Sequence, residues 1–101
     1  MSANPDIITC HVLCCLGSSC KKNGAEDVLD ALKHELKAHD LHKHVHLTKT
    51  HCNHLCKHSP VVMVYPEGTW YEGMTPKSAR KLVRKHIRKG KILKKHLLTT
   101  L

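Results

Sequence analysis

An open mixed α/β sheet with flanking helices is the fold class the sequence predicts, on three observations. A capped amphipathic segment separates two strand-like runs, which favours a right-handed parallel crossover. A proline then opens a short apolar run that turns back on itself through Pro66-Glu67-Gly68. A second, strongly marked helix starts at Thr75.

Taken in order, Ile7 to Cys14 reads as a largely buried first strand, rich in β-branched residues and poor in charge. Gly17-Ser18-Ser19 breaks it into a loop. The first helix is predicted over about Gly24 to His39, with Asn23 as its N-cap and Glu26 placed to complete a capping box. Val28, Leu29, Leu32 and Leu36 give it one apolar face. Glu26 and Asp27 stand at the positive end of its dipole, Lys37 and His39 at the negative end.

Val45 to Lys49 alternates apolar and polar residues and reads as the second strand. A Cys52–Cys56 loop with room for one helical turn follows, and then Pro60 opens the apolar strand Val61 to Tyr65. In the turn after it, proline presets the backbone and glycine is free to take a positive φ. Thr69-Trp70-Tyr71 returns as the partner strand of a hairpin. The last helix has Thr75 as N-cap and Pro76 in its first turn, where a missing N–H costs nothing. Ala79, Leu82, Val83 and Ile87 form its buried stripe, and Gly90 stops it. The outward positions, Lys77, Arg80, Lys81, Arg84, Lys85 and Arg88, read as a solvated basic face. The element order is that of a thioredoxin-like domain. Residues 1–101 form one domain, with a core of about 7–90 and a tail of 91–101 whose Leu97-Leu98 pair docks on the domain or on a second subunit.

Composition narrows the function. No run approaches the roughly 20 apolar residues a membrane helix needs. Met1 to Asp6 is polar, without the layout of a signal peptide, so a cytoplasmic setting is expected. There, 6 clustered cysteines point to metal binding or redox work rather than to structural disulfides. The formal charge of +9 makes an anionic partner plausible chemistry, yet a basic surface that only serves solubility has the same composition. Nucleic acid ranks last among partners, for want of a recognised motif or a stacking-aromatic pattern.

The cysteines fall in two loops: Cys14, Cys15 and Cys20 after the first strand, Cys52 and Cys56 after the second. Four thiolates from two loops can close a tetrahedral metal site or hold an iron–sulfur cluster. The spacings Cys-x4-Cys and Cys-x3-Cys fit neither a zinc ribbon nor a thioredoxin dithiol. Cys10 and Cys14 share a strand face and read as buried core thiols. His51, His54 and His58 surround the second pair, as metal ligands or as N–H donors to sulfur. His42, His44 and His46 alternate on a half-exposed strand and read as solvent-facing.

His11-Val12-Leu13-Cys14-Cys15, Gly17-Ser18-Ser19-Cys20, Cys52-Asn53-His54-Leu55-Cys56 and the run Pro60 to Tyr71 resemble the thioredoxin-like 2Fe-2S ferredoxins. The similarity extends over roughly His11 to Gly90 and is most specific from Pro60 to Tyr71. The resemblance implies a 2Fe-2S cluster on Cys15, Cys20, Cys52 and Cys56, with Cys14 as the alternative to Cys15. It also implies an electron carrier rather than an enzyme, a redox partner protein, and a homodimer as one expected assembly. His51 and Ser59 depart from the family's usual glycines. Lys21, Lys22, Lys49 and Lys57 flank the ligand loops, so an acidic docking patch is expected on the partner. The runner-up function is a zinc-binding Cys/His module without electron transfer, and a thiol-redox protein comes third.

Overall fold

The computed structural model describes residues 7–17, 22–51 and 56–100, with the Cys56 side chain left out. Five strands form one sheet: β1 (Cys10–Cys15), β2 (Val45–Thr50), β3 (Val62–Tyr65), β4 (Thr69–Tyr71) and β5 (Leu97–Thr100). Their spatial order is β2-β1-β3-β4-β5. Only β1 and β2 run parallel, joined through helix α1 (Ala25–Ala38); the remaining neighbours are antiparallel. Helix α2 starts at Pro76–Lys81 and continues as a wider π-helical segment, Leu82–Ile87.

Both helices pack on one face of the sheet. Val12 and Cys14 from β1, Val62 and Val64 from β3, and Tyr71 meet Val28, Leu32 and Leu36 of α1 and Ala79, Leu82 and Val83 of α2. The opposite face carries His46, Thr48 and Thr50 on β2, paired with His11, Leu13 and Cys15 on β1. Met63 and Tyr65 of β3 and Trp70 of β4 continue it. None of these strand positions is a Lys, Arg, Asp or Glu. His11 Nε2 lies 2.7 Å from Thr48 Oγ1, and the indole N–H of Trp70 donates to Tyr65 Oη at 3.0 Å.

One detail differs from the sequence reading, one goes beyond it, and one decides between its alternatives. Helix α1 is capped by Gly24, at φ +91° and with no side-chain cap, in place of the expected Asn23–Glu26 box. Asn23 is engaged elsewhere, its Nδ2 donating to Ser59 Oγ at 2.7 Å. At the second helix Thr75 caps as expected, but its reciprocal partner at N3 is Ser78. In the tail, the last residues add an edge strand: β5 pairs with β4, so the Leu97-Leu98 segment docks on its own domain. Ahead of β5, a 3-10 turn, Lys94–His96, leads into that strand.

A polar chain crosses the core beneath α2. Leu93 N–H donates to Tyr71 Oη at 3.3 Å, and Tyr71 Oη lies 2.6 Å from His86 Nδ1. His86 Nε2 faces Glu67 at 3.5 Å. Tyr71 donating to Nδ1 fixes a neutral imidazole with its proton on Nε2, turned to the carboxylate. Burial lowers the His86 pKa, partly opposed by the Glu67 charge. The folded state therefore binds this proton less readily than the unfolded chain does. The stabilising contribution is complete above the ordinary histidine value of 6.5 and is lost as pH falls from there toward the lower folded value. Urea denaturation of wild type and His86→Gln across this range should show an acid-side loss of stability in wild type that the variant shares only in part.

Candidate functional site

Strand directions bring three chain segments to one end of the sheet. Since β1 and β2 are parallel and in register from Cys10↔Val45 to Cys15↔Thr50, both strands finish side by side. Leu16 N–H donates to the Thr50 carbonyl at 2.8 Å, so the two outgoing loops start in contact. Being antiparallel to β1, β3 begins at that same end, and Cys15 N–H donates to the Val61 carbonyl at 3.1 Å. Both cysteine-bearing loops thus leave the sheet from one place, next to the Pro60 segment.

Adjacent residues on β1 meet opposite faces. Cys14, fully buried, belongs to the core under the helices, where its Sγ sits 3.9 Å from the Ala25 carbonyl oxygen. Cys15, 3% exposed, packs with Val61 and Met63 on the other face, and its thiol donates to the His51 carbonyl at 3.3 Å. Its sulfur is held against the first residue of the second loop. Cys10 packs against the same core as Cys14, and burial, reinforced by the Glu67 charge, pushes its thiol up to about 11. At neutral pH it remains a protonated, unreactive thiol. Cys20 and Cys52 lie outside the described residues, as does the side chain of Cys56; its backbone opens the 3-10 turn Cys56–His58.

That turn is tied to the segment after β4. Gly73 N–H donates to the His58 carbonyl at 2.9 Å, and Met74 N–H to that of Pro60 at 3.1 Å. His58 Nδ1 donates to Glu72 Oε1 at 3.0 Å. Glu72 also holds the tail, its N–H donating to the His96 carbonyl at 2.8 Å while His96 Nδ1 lies 3.2 Å from the Glu72 carbonyl oxygen. Glu72 therefore connects the end of the second cysteine loop and the segment before β5. As a lone acid following Trp70-Tyr71, it gave no signal in the sequence.

The other anticipated residues distribute as follows. His51 is exposed, and its carbonyl accepts from Cys15 and from Thr50 Oγ1; His54 lies outside the described residues. Nδ1 of His44 lies 3.0 Å from the Ile7 carbonyl oxygen, His42 is 4.0 Å from Asp40, and His46 packs its ring on His11. Among the described residues, no three His, Cys, Asp or Glu side chains converge in a metal-holding group. Lys22, Lys49 and Lys57 are exposed; Lys21 lies outside the described residues. No helix among the described residues is long and apolar enough to cross a membrane.

A thioredoxin-type sheet with two cysteine loops leaving one end defines a class, the small iron–sulfur electron carriers on that scaffold. The thioredoxin-like 2Fe-2S ferredoxin family matches residues 4–86, and the chain belongs to it. A protein of Priestia megaterium described as a putative 2Fe-2S ferredoxin is 42% identical over 88 residues, spanning 87% of this chain and 68% of that one. A 2Fe-2S ferredoxin of Clostridium pasteurianum is 30% identical over 95 residues, spanning 84% of this chain and 91% of its own. In three dimensions, a thioredoxin-like 2Fe-2S ferredoxin of Aquifex aeolicus superposes with a TM-score of 0.86 at 25% identity, covering 92% of this chain and 93% of the other.

The opposite placement of Cys14 and Cys15 has a stability consequence of its own. Cys14→Ser puts a hydroxyl among apolar side chains beneath the helices, so urea unfolding should show a loss of about 1–3 kcal/mol. A loss below a few tenths of that would mean Cys14 is not a core residue.

Proposed function

We propose that the chain is a one-electron carrier, not an enzyme, whose 2Fe-2S cluster is held by Cys15, Cys20, Cys52 and Cys56. The observation that carries this reading is the shared exit of the two loops beside Thr50 and Val61, with the Cys15 sulfur already against His51. The donor chemistry fits: two irons bridged by sulfide need two thiolates each, and two loops from one sheet end supply that count. When bound, the cluster takes up and releases one electron.

The chain's own residues define how that site is held. Cys15 is fixed by backbone bonds to both neighbouring strands. Asn23 anchors Ser59 ahead of Pro60, and Glu72 anchors His58 just after Cys56. Val61, Met63 and Leu16 pack beside Cys15 and exclude water from its strand side. The exposed Lys22, Lys49 and Lys57 set positive charge around the loops, matching an acidic patch on the redox partner. A homodimer belongs to the same reading, since a chain of charge +9 meets its own copy most easily through the sheet face that carries no formal charge. A cytoplasmic setting suits the reduced Cys10 thiol.

The test is anaerobic purification followed by visible absorption and iron and sulfide assay. Two irons per chain and a spectrum that bleaches on reduction are expected, whereas a colourless zinc protein would assign the cysteines to a metal-binding module. Serine at Cys15, Cys20, Cys52 or Cys56 should sharply reduce cluster assembly, and serine at Cys10 or Cys14 should leave the spectrum nearly intact. Loss with Cys14→Ser and retention with Cys15→Ser would move the first ligand by one position. In stopped-flow reduction of an acidic acceptor protein, rates should fall as salt shortens the screening length below about 10 Å. Rates indifferent to salt would separate the lysines from electron transfer.

A further inference from the structure

Positive charge is not spread over this molecule. Ten of the 17 Lys and Arg lie between Lys77 and Lys95, with no acid from Gly73 onward, so that stretch carries +10. The rest of the chain, with seven cations and all eight acids, sums to −1. Two consecutive elements of the structure expose the basic stretch, and they are held near each other through Tyr71, which bonds both His86 and Leu93. Along α2, Arg80, Lys81, Lys85 and Arg88 are exposed on the side turned from the core, and Lys94 and Lys95 are exposed in the turn before β5. Among the described residues, the one Lys or Arg in an ion pair with a carboxylate is Arg84, 3.4 Å from Glu35. The other cations of this surface have no acid partner among the described residues.

We infer that this α2–tail surface is a docking site for an acidic protein, and that it, rather than the lysines at the loops, carries most of the partner's affinity. The inference rests on the electron-carrier reading above and extends it to a named surface. Geometry links the surface to the ligand loops. Helix α2 starts beside the Pro60 carbonyl, and the Lys94–His96 turn is bonded through Glu72 to His58. A partner lying along α2 thus reaches the end of the sheet from which the cysteine loops leave. Charge complementarity identifies it: unpaired cations without interspersed acids attract an anionic surface and repel a basic one. Two other anionic occupants fit less well. The apolar stripe of α2, Ala79, Leu82 and Val83, is fully buried, and the exposed Ile92 and Leu97 of the tail stand singly, which is less than the apolar face a helix needs to insert in a lipid surface. Residues 72–101 contain no Phe, Tyr or Trp on which a base could stack.

The test uses the full chain and three labelled probes: a polyglutamate peptide of about 20 residues, a DNA duplex of about 20 base pairs, and phosphatidylserine vesicles, each at about 0.15 M salt. Wild type should bind polyglutamate, and K81E/K85E/R88E should weaken that binding about tenfold or more. K94E/K95E, on a separate element, should weaken it too, while K22E/K49E/K57E should weaken it less than either the α2 or the tail reversal does. Circular dichroism checks each variant's fold, and the K94E/K95E pair decides if the helix variant does not fold. Polyglutamate binding unaffected by the α2 and tail reversals overturns the inference. So does a larger loss from the loop set, which would leave the electron-carrier reading intact and assign docking to the loops. Duplex or vesicle binding more than about a hundredfold tighter than polyglutamate binding would also overturn it, assigning the surface to nucleic acid or membrane. Cluster content is measured on the same samples, so a chain that binds polyglutamate but holds no iron fails the carrier reading alone.

Discussion

The arrangement of this molecule depends on the central strand β1. Among the described strands it alone pairs parallel on one side and antiparallel on the other, with β2 and β3 respectively. The parallel pairing sends the loops after Cys15 and Thr50 out of the same end, and the antiparallel pairing starts β3 there as well. Because side chains alternate, Val12 and Cys14 are committed to the helix-side core and Leu13 and Cys15 to the other face. A slip of one residue would exchange these sets, exposing the core side chains and turning Cys15 beneath α1. The register that makes the core is thus the register that turns Cys15 away from it, toward the second cysteine loop.

Much of this was legible because the signals were local. Apolar spacing in α1, the Thr75-Pro76 start of α2 and the proline-led hairpin all depend on neighbours within a few residues. The features that were not legible are long-range. Asn23 has the chemistry of an N-cap, but its amide is taken by Ser59, 36 residues away, and Gly24 supplies the left-handed turn instead. Likewise, Leu97 to Thr100 reads as a tail until β4 offers an unpaired edge. His86 occupies a position in the inward stripe of α2, but an apolar pattern passes over a histidine. Its burial becomes acceptable only because Tyr71 and Glu67 satisfy both ring nitrogens.

For the site, sequence alone reached the four cysteines through family resemblance, and could state only the strand-face half of the argument physically. The Cys14–Cys15 ambiguity was a question of register, which depends on how β1 pairs with β2 and β3. No residue within β1 could answer it. Equally hidden was the role of Glu72, since its partners His58 and His96 lie 14 and 24 residues away on opposite sides of it.

Histidine enrichment has a structural counterpart. Besides Asp40, 4.0 Å from His42, three carboxylates are placed beside histidines: Glu35 at His39, Glu67 at His86, Glu72 at His58. Each joins an element to its surroundings: the last turn of α1, the underside of α2, the exit of the second ligand loop. Only Glu35 also reaches a cation, Arg84. Acids engaged in this way hold the fold together with short contacts at fixed positions, which do not require the histidine to be charged. The positive surface along α2 and the tail has a simpler origin in the chain: every acid lies at or before Glu72, so the cations beyond it have no acid neighbour in sequence. Among the described residues, only where α1 packs against α2 does an acid, Glu35, reach one of them.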